Sequence, residues 1–411
     1  MPKIGRLKEA AFAALAVLLA VAGVSLAIVL ADDPDEAPER RPAVADSSGE
    51  RTSFLSRLIP RGETPAKRHV RPAADSVTRL AREMPLERKV AQLFLFGFQG
   101  QDLTAPIYER LRELDIGGVV VDEQNYLGAD QLASMTGEAR VIAEDEGHVE
   151  PWVMAPQEGG ALNVFGDLPP AHAPATLSSN KQAFREATAA ATTLGRLGIN
   201  GVLAPVIDVA PADSIALGTR AYSESPSEVA AYAKAVVDAY RRGRVLTAPA
   251  HFPGLGSATA DTRLGVAQVG STLATLRRRD LVPFRAAIAA GAPAITMSHG
   301  LYATDDFVTP GSLSHTLMTD LLRRELGFRG IAITDDLADP PITALTSIPE
   351  AAVRAIAAGA DLVYISGPAT EQEAAYASVL EAARRGTIPR RRLDEALLRD
   401  LSIKHDYRLV E

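Results

Sequence analysis

The chain has 411 residues, 47% of them hydrophobic and 23% charged, which supplies a sizeable core and excludes wholesale disorder. Lys and Arg number 43 against 51 Asp and Glu, and the net charge of −8 argues against a nucleic-acid partner. Cysteine is absent, so disulfides, a catalytic thiol, iron–sulfur clusters and thiolate metal sites are excluded; any chemistry must come from carboxylates, histidines, hydroxyls or a bound group.

Taken in chain order, residues 1–9 form a short basic stub carrying Lys3, Arg6 and Lys8. Ala10 to Ala31 contains no charge and is long enough to cross a bilayer as a helix. Asp32, Asp33, Asp35 and Glu36 follow at once, so the basic side stays in the cytoplasm and the rest faces outward. The segment reads as a single-pass membrane anchor, because it exceeds a signal-peptide core; the small residues Val29 and Ala31 leave secretion after cleavage at Ala31 as the alternative. Residues 32–77 read as a linker, with Pro34, Pro38, Pro42, Pro60, Pro65 and Pro72 and too little apolar surface to order themselves.

From residue 78 to the end the pattern is regular. Eight apolar, β-branched runs are strand candidates: Val90–Gln99, Ile116–Asn125, Glu150–Glu158, Ile199–Val209, Arg244–Pro253, Ala292–Tyr302, Arg329–Asp339 and Ala360–Gly367. Amphipathic stretches lie between them, among them Lys181–Leu197, Pro226–Arg242, Ser271–Ala290, Thr316–Leu326 and Pro349–Ala358. Each is followed by a glycine, at 198, 243, 291, 327 and 359, the expected helix stop. Eight such alternations predict an α/β fold, a single (β/α)8 barrel over 78–411. A doubly wound sheet is the competing architecture, but neither a GxGxxG after an early strand nor a GxxxxGK[ST] occurs, so no nucleotide cofactor is expected.

Barrel active sites lie at the C-terminal strand ends. Those ends carry Glu158 after the third strand, Asp208 after the fourth, His251 after the fifth, Ser298 and His299 on the sixth, and Asp335 and Asp336 on the seventh. A hydrolytic metal site would ask for further ligands, commonly two histidines one residue apart on an early strand, and the first strand has none; no metal is expected. A carbohydrate site fits better, with a carboxylate attacking an anomeric carbon and polar neighbours gripping hydroxyls. Asp335, after Ile331-Ala332-Ile333-Thr334, is the candidate nucleophile. The competing structural reading has it capping the next segment or pairing with an arginine.

Five separated segments carry a resemblance. They are LERKVAQLFLFGF (Leu86–Phe98), LGINGVLAPVIDV (Leu197–Val209), LGTRAYSESP (Leu217–Pro226), HFPGLG (His251–Gly256) with Asp261-Thr262 downstream, and GIAITDDL (Gly330–Leu337). In order and spacing they resemble family 3 glycoside hydrolases, specifically the single-domain bacterial β-N-acetylhexosaminidases that act on cell-wall muropeptides. The resemblance implies a (β/α)8 barrel and retaining hydrolysis, with Asp335 as the nucleophile. It implies a carbohydrate partner, no cofactor and a monomer. It also implies that Arg220, His251, Glu158 and Asp208 belong to the substrate-binding set.

The same resemblance exposes a departure. The family's acid/base is a histidine in a D-S-H motif on the loop after the fifth strand, and that motif reads Asp261-Thr262-Arg263 here. Asp261 is what remains of the dyad. Arginine stays protonated far above neutrality, so Arg263 can stabilise charge but cannot shuttle a proton. Losing general acid/base catalysis typically costs about 10²–10⁴-fold. The family's D-Q-E-G-G-R-V-Q-R-F loop has Pro156, Ala161 and Val164 at its aspartate and two arginines, Ala250 replaces a lysine, and Leu255 replaces the histidine of G-H-G. Two accounts follow: a hydrolase with a replacement proton donor, for which Glu224 is the nearest candidate, or a non-catalytic barrel that binds glycans or serves as a scaffold, with Asp335 held by Arg220 or Arg263.

Overall fold

The computed structural model describes residues 73–411. The expected stub, the membrane anchor 10–31 and nearly all of the linker lie outside them. Among the described residues, no helix is long and apolar enough to cross a membrane. The linker boundary moves: helix α1, Asp75–Glu83, begins inside the segment assigned to it. The prolines stop at Pro72, and Val77 and Ala81 then recur at helical spacing to pack on Leu397 and Leu401 of the last helix.

Each of the eight candidate runs contains one strand of an eight-stranded sheet. These are β1 (Phe94–Gly97), β2 (Gly118–Val120), β3 (Trp152–Ala155), β4 (Gly201–Val202), β5 (Leu246–Thr247), β6 (Ala294–Met297), β7 (Ile331–Asp336) and β8 (Leu362–Ile365). All pairings are parallel and run in chain order from β1 to β5, with β8 joining β1 to β7 and β6 beside β7. Hydrogen bonds from Phe252 N to Thr296 O (2.9 Å), Thr296 N to Pro249 O (3.0 Å) and Ser298 N to Phe252 O (2.9 Å) close β5 onto β6, making a barrel. The strands are shorter than the apolar runs because each run continues past its ladder into the loop at the barrel mouth.

The pleat sorts side chains into two cores. Leu95, Val120, Trp152, Met154, Leu246, Ala294, Ile331, Ile333, Leu362 and Tyr364 fill the barrel interior. Their neighbours along each strand face the outer helices, so every position of β1, β3, β6 and β8 is buried and the strands read as continuous apolar runs. The last helix, Arg390–Tyr407, closes the N-terminal end: Trp152 Nε1 donates to Asp400 Oδ1 (2.8 Å), and the buried Lys404 Nζ donates to Gln92 Oε1 and Gly117 O (2.9 Å each).

The expected helices form within a residue or two of their predicted ends, with one exception. Ser271–Ala290 splits into Leu273–Arg278 and Leu281–Ala290, broken at Arg279-Asp280. Gly243 also proves to be more than a stop. It is the last residue of helix Pro226–Gly243, where an added Cβ would come 2.5 Å from Ala191 Cβ on the neighbouring helix; Arg244 takes the left-handed turn instead, at φ 55. Two-residue strands at 268–269 and 301–302 pair in parallel and tie the loop after β5 to the loop after β6.

Candidate active site

Asp335 reaches the mouth through strand alternation and a bulge. Ile331 and Ile333 point into the barrel, and Asp335 continues that face. Ile333 pairs with Leu362 and Asp336 with Tyr364, so two residues of β7 oppose one of β8 between them. Bulges of this kind re-aim a side chain next to a site. The Asp335 side chain keeps 21% of its surface open, and among the described residues its Oδ1 accepts only the Asp336 N–H, at 3.2 Å.

His251 Nε2 stands 3.9 Å from Asp335 Oδ2. The ring is held from behind, with Nδ1 2.8 Å from Asp208 Oδ2. Asp208 is fully buried and also accepts the N–H groups of His251 (3.2 Å) and Leu255 (2.6 Å). Asp208, expected among the sugar ligands, thus has both carboxyl oxygens engaged beneath the histidine. Burial disfavours the His251 cation, but the Asp208 carboxylate more than offsets it and the pKa is raised, with Arg220 opposing and Asp335 adding. The glycines of HFPGLG allow this packing: a Cβ on Gly256 would lie 1.9 Å from the Val209 carbonyl oxygen.

Arg220 and Glu158 form the opposite wall. Arg220 Nε and Nη2 donate to Glu158 Oε2 and Oε1 at 2.7 and 2.8 Å, a bidentate pair with both side chains at or below 10% exposure. Arg220 Nη2 also lies 3.3 Å from His251 Nε2. Burial works against the Arg220 charge, yet Glu158, with Asp261 and Asp335, raises its pKa. Glu158 owes its place to Gly159, at φ 105, where a Cβ would lie 2.4 Å from the His172 carbonyl oxygen.

The dyad remnant sits on a hairpin-like loop, where Thr259 N donates to Gln268 O at 3.0 Å. At its tip Arg263 turns back on Asp261, donating from N (3.0 Å), Nε (3.1 Å) and Nη2 (2.5 Å). Burial would raise the Asp261 pKa, but these bonds prevail and lower it. The two arginines expected to lock Asp335 are thus committed elsewhere, Arg220 to Glu158 and Arg263 to Asp261, and among the described residues no arginine pairs with Asp335. His299 is a strut: its ring nitrogens meet Ser312 Oγ (2.6 Å) and Asp336 O (2.7 Å), and burial lowers its pKa. Glu224 is exposed and makes no hydrogen bond or ion pair with any of these groups.

One acid next to this strand end was missed. Asp339, half-buried on the loop after β7, has its pKa pushed up by burial and by the charges of Asp335 and Asp336, with Arg263 opposing and Asp261 adding. The signal was present as a third acid in the run Asp335-Asp336-Leu337-Ala338-Asp339. It reads as an ordinary helix cap, although its side chain makes no capping hydrogen bond to the Pro340–Thr343 helix.

A closed parallel barrel thus carries a carboxylate on its seventh strand end, walled by histidine, arginine and further acids, at the end where barrel active sites lie. The chain belongs to glycoside hydrolase family 3: residues 85–403 match the model for the glycosyl hydrolase family 3 N-terminal domain. It is similar to the β-hexosaminidase of Stenotrophomonas maltophilia strain K279a, 32% identical over 295 residues covering 69% of this chain and 86% of the relative. The β-hexosaminidase of Xylella fastidiosa strain 9a5c is 31% identical over 287 residues, covering 67% and 84%. Among solved structures, a family 3 β-N-acetylglucosaminidase from Paenibacillus superposes with TM-score 0.74 at 30% identity, over 79% of this chain and 63% of that one. A β-N-acetylhexosaminidase from Beutenbergia cavernae gives 0.71 at 28%, over 79% and 99%.

Proposed function

We propose that the chain is a retaining β-N-acetylhexosaminidase that removes terminal β-linked N-acetylglucosamine from cell-wall glycans. The observation that carries this reading is the state of Asp335, which is presented by a bulge at the barrel mouth, partly open, and paired with no arginine among the described residues. In the first step its carboxylate attacks the anomeric carbon and forms a glycosyl-enzyme as the leaving group departs; water then releases the sugar with retention. Arg220 and His251 line the sugar side of the carboxylate, with Asp208 and Glu158 fixing their orientation. The relatives' names supply the substrate class. An aryl β-N-acetylglucosaminide tests it: turnover by the wild type that vanishes in Asp335→Ala supports the reading, and equal background rates in both sink it.

A second reading rests on a different observation. Arg263 holds the place of the family's acid/base and spends its guanidinium on Asp261, which suits a barrel that binds glycans without cleaving them. Saturable binding of wall fragments by calorimetry, without turnover, supports that alternative. In either case we propose that residues 10–31 hold the barrel on the outer face of the cell membrane, or that it is secreted after cleavage at Ala31. Fractionation of cells expressing the full chain separates the two: recovery with membranes supports the anchor, and recovery in the medium supports cleavage.

A further inference from the structure

At the end of the barrel opposite the mouth, where β5, β6 and β7 begin, a cleft opens between the strand starts and the end of the last helix. Its volume is about 480 Å³. That falls within the roughly 300–1,000 Å³ of sites that take small molecules. Arg241, Arg244 and Arg329 line it together with Tyr407, and Asp406 is the one acid among the described residues of the lining.

Backbone contacts gather the three arginines around a single turn, residues 290–293. Arg241 Nη1 donates to Ala290 O at 2.8 Å, and a Cβ on Gly291 would lie 3.2 Å from the Arg241 guanidinium carbon. Arg244 N donates to Arg241 O at 3.2 Å, which seats Arg244 at the end of the same helix. Gly330 is pressed against the Pro293 carbonyl, where a Cβ would come within 2.2 Å, and Ile331 N donates to that carbonyl at 2.9 Å. Arg329, one residue earlier, is thereby carried to the same turn.

The positive charge of this cleft is uncompensated. The chain has 51 acids against 43 bases, and exposed arginines such as Arg112 and Arg277 pair with Glu138 and Glu325. Among the described residues, the Arg244 and Arg329 side chains make no hydrogen bond or ion pair. Arg241 makes one bond, to Ala290 O, so its Nε and Nη2 are left over; Asp406 pairs with none of the three. Arg244 also takes φ 55, a left-handed conformation uncommon outside glycine. Such conformations cluster at functional sites.

We propose that this cleft is a second binding site, which takes a phosphate group carried by a lipid headgroup or by a soluble phosphate ester. Guanidinium groups stay charged, are planar and present paired donors that match phosphate oxygens. A carboxylate offers two oxygens in one plane, whereas a phosphate monoester offers three acceptor oxygens, which suits three arginines. The Tyr407 hydroxyl makes no hydrogen bond among the described residues and supplies a further donor at the same cleft. The site stands apart from Asp335 and does not depend on the hydrolase reading.

The test titrates full-length protein in dodecyl maltoside micelles by calorimetry. The probes are inorganic phosphate, glycerol phosphate, and dihexanoyl phosphatidylglycerol mixed into the same micelles. Wild type is compared with the double variant Arg244→Asn/Arg329→Gln. One-site saturable binding, weakened about tenfold or more in the variant and falling as sodium chloride is added, is the expected result. Tighter binding of the phosphatidylglycerol micelles than of glycerol phosphate assigns the phosphate to a headgroup, and equal or tighter binding of the soluble ester assigns it to a soluble ligand. Both positions are exposed, so the variant should keep the wild-type unfolding midpoint; if it does not, Arg329→Gln alone is put through the same titrations and read in the same way. No saturable binding of any probe, or equal affinity in wild type and variant, overturns the proposal.

Discussion

Arg220 forks onto Glu158 through bonds of 2.7 and 2.8 Å, and among the described residues no arginine pairs with Asp335. The wall is therefore internally neutral, and the carboxylate at the barrel mouth keeps an open face. Breaking the pair by Glu158→Ala leaves a buried guanidinium uncompensated. Such removals cost about 3–5 kcal/mol, so denaturant unfolding should show a loss of that order. Arg220 is then free to turn to Asp335, and kcat/KM should fall further than the loss of folded protein explains.

Arg263→His restores the family's residue at the tip of the loop after β5. If a group already at the mouth moves the proton, this change should alter turnover of a poor leaving group by less than about tenfold. A gain of about 10² or more, the usual worth of an acid/base group, would show that the missing histidine was the defect.

Asp280 sits at the break between two helices, buried, with both carboxyl oxygens lacking a hydrogen-bond donor and Arg279 Nη1 no nearer than 3.7 Å. Burial pushes its pKa up to about 6, with Arg279 opposing. The folded state then binds more protons than the unfolded chain between about pH 4 and 6, so stability falls as pH rises through that window. Asp280→Asn removes the penalty. It should stabilise the protein by about 2–3 kcal/mol at pH 7 and by little at pH 4, read as the difference between variant and wild-type unfolding curves.

Asp361 has the opposite character. It is fully buried and bonded by Arg323, Arg392 (2.6 Å) and Arg399 (2.9 Å), holding together β8, the last helix and the helix at 316–325. Burial would raise its pKa, but the three guanidinium groups prevail and lower it. Its contribution is complete above the unfolded carboxylate value and is lost as pH falls through the lower folded value. Asp361→Asn should destabilise by about 3–5 kcal/mol at pH 7, with the gap to wild type narrowing in strong acid.

The barrel was legible in the sequence because its strands are buried on both faces and its helices on one, so two periods alternate cleanly eight times. The split at Arg279-Asp280 was not legible, since the apolar spacing continues across it. The start of the fold at Asp75 was hidden by reading the prolines as a whole rather than by where they end. At the site, strand ends bring Asp335, His251 and Asp208 together, but partners decide what each side chain does. Asp208 serves His251 from below, and Arg220 answers Glu158, a pairing between residues 62 positions apart that no local pattern encodes. Asp339 was passed over because an acid just before a Pro-led helix reads as a cap, and only the fold shows that its side chain makes no capping bond.

The most direct measurement traps the covalent intermediate. Full-length protein is incubated with a fluorinated N-acetylglucosaminyl fluoride that forms the glycosyl-enzyme quickly and releases it slowly, then digested and weighed by mass spectrometry. One sugar on the peptide carrying Asp335, absent in Asp335→Ala, is the expected result. An unlabelled wild type, or a label on another peptide that survives in Asp335→Ala, would contradict the assignment of Asp335 as the nucleophile of a retaining hydrolase.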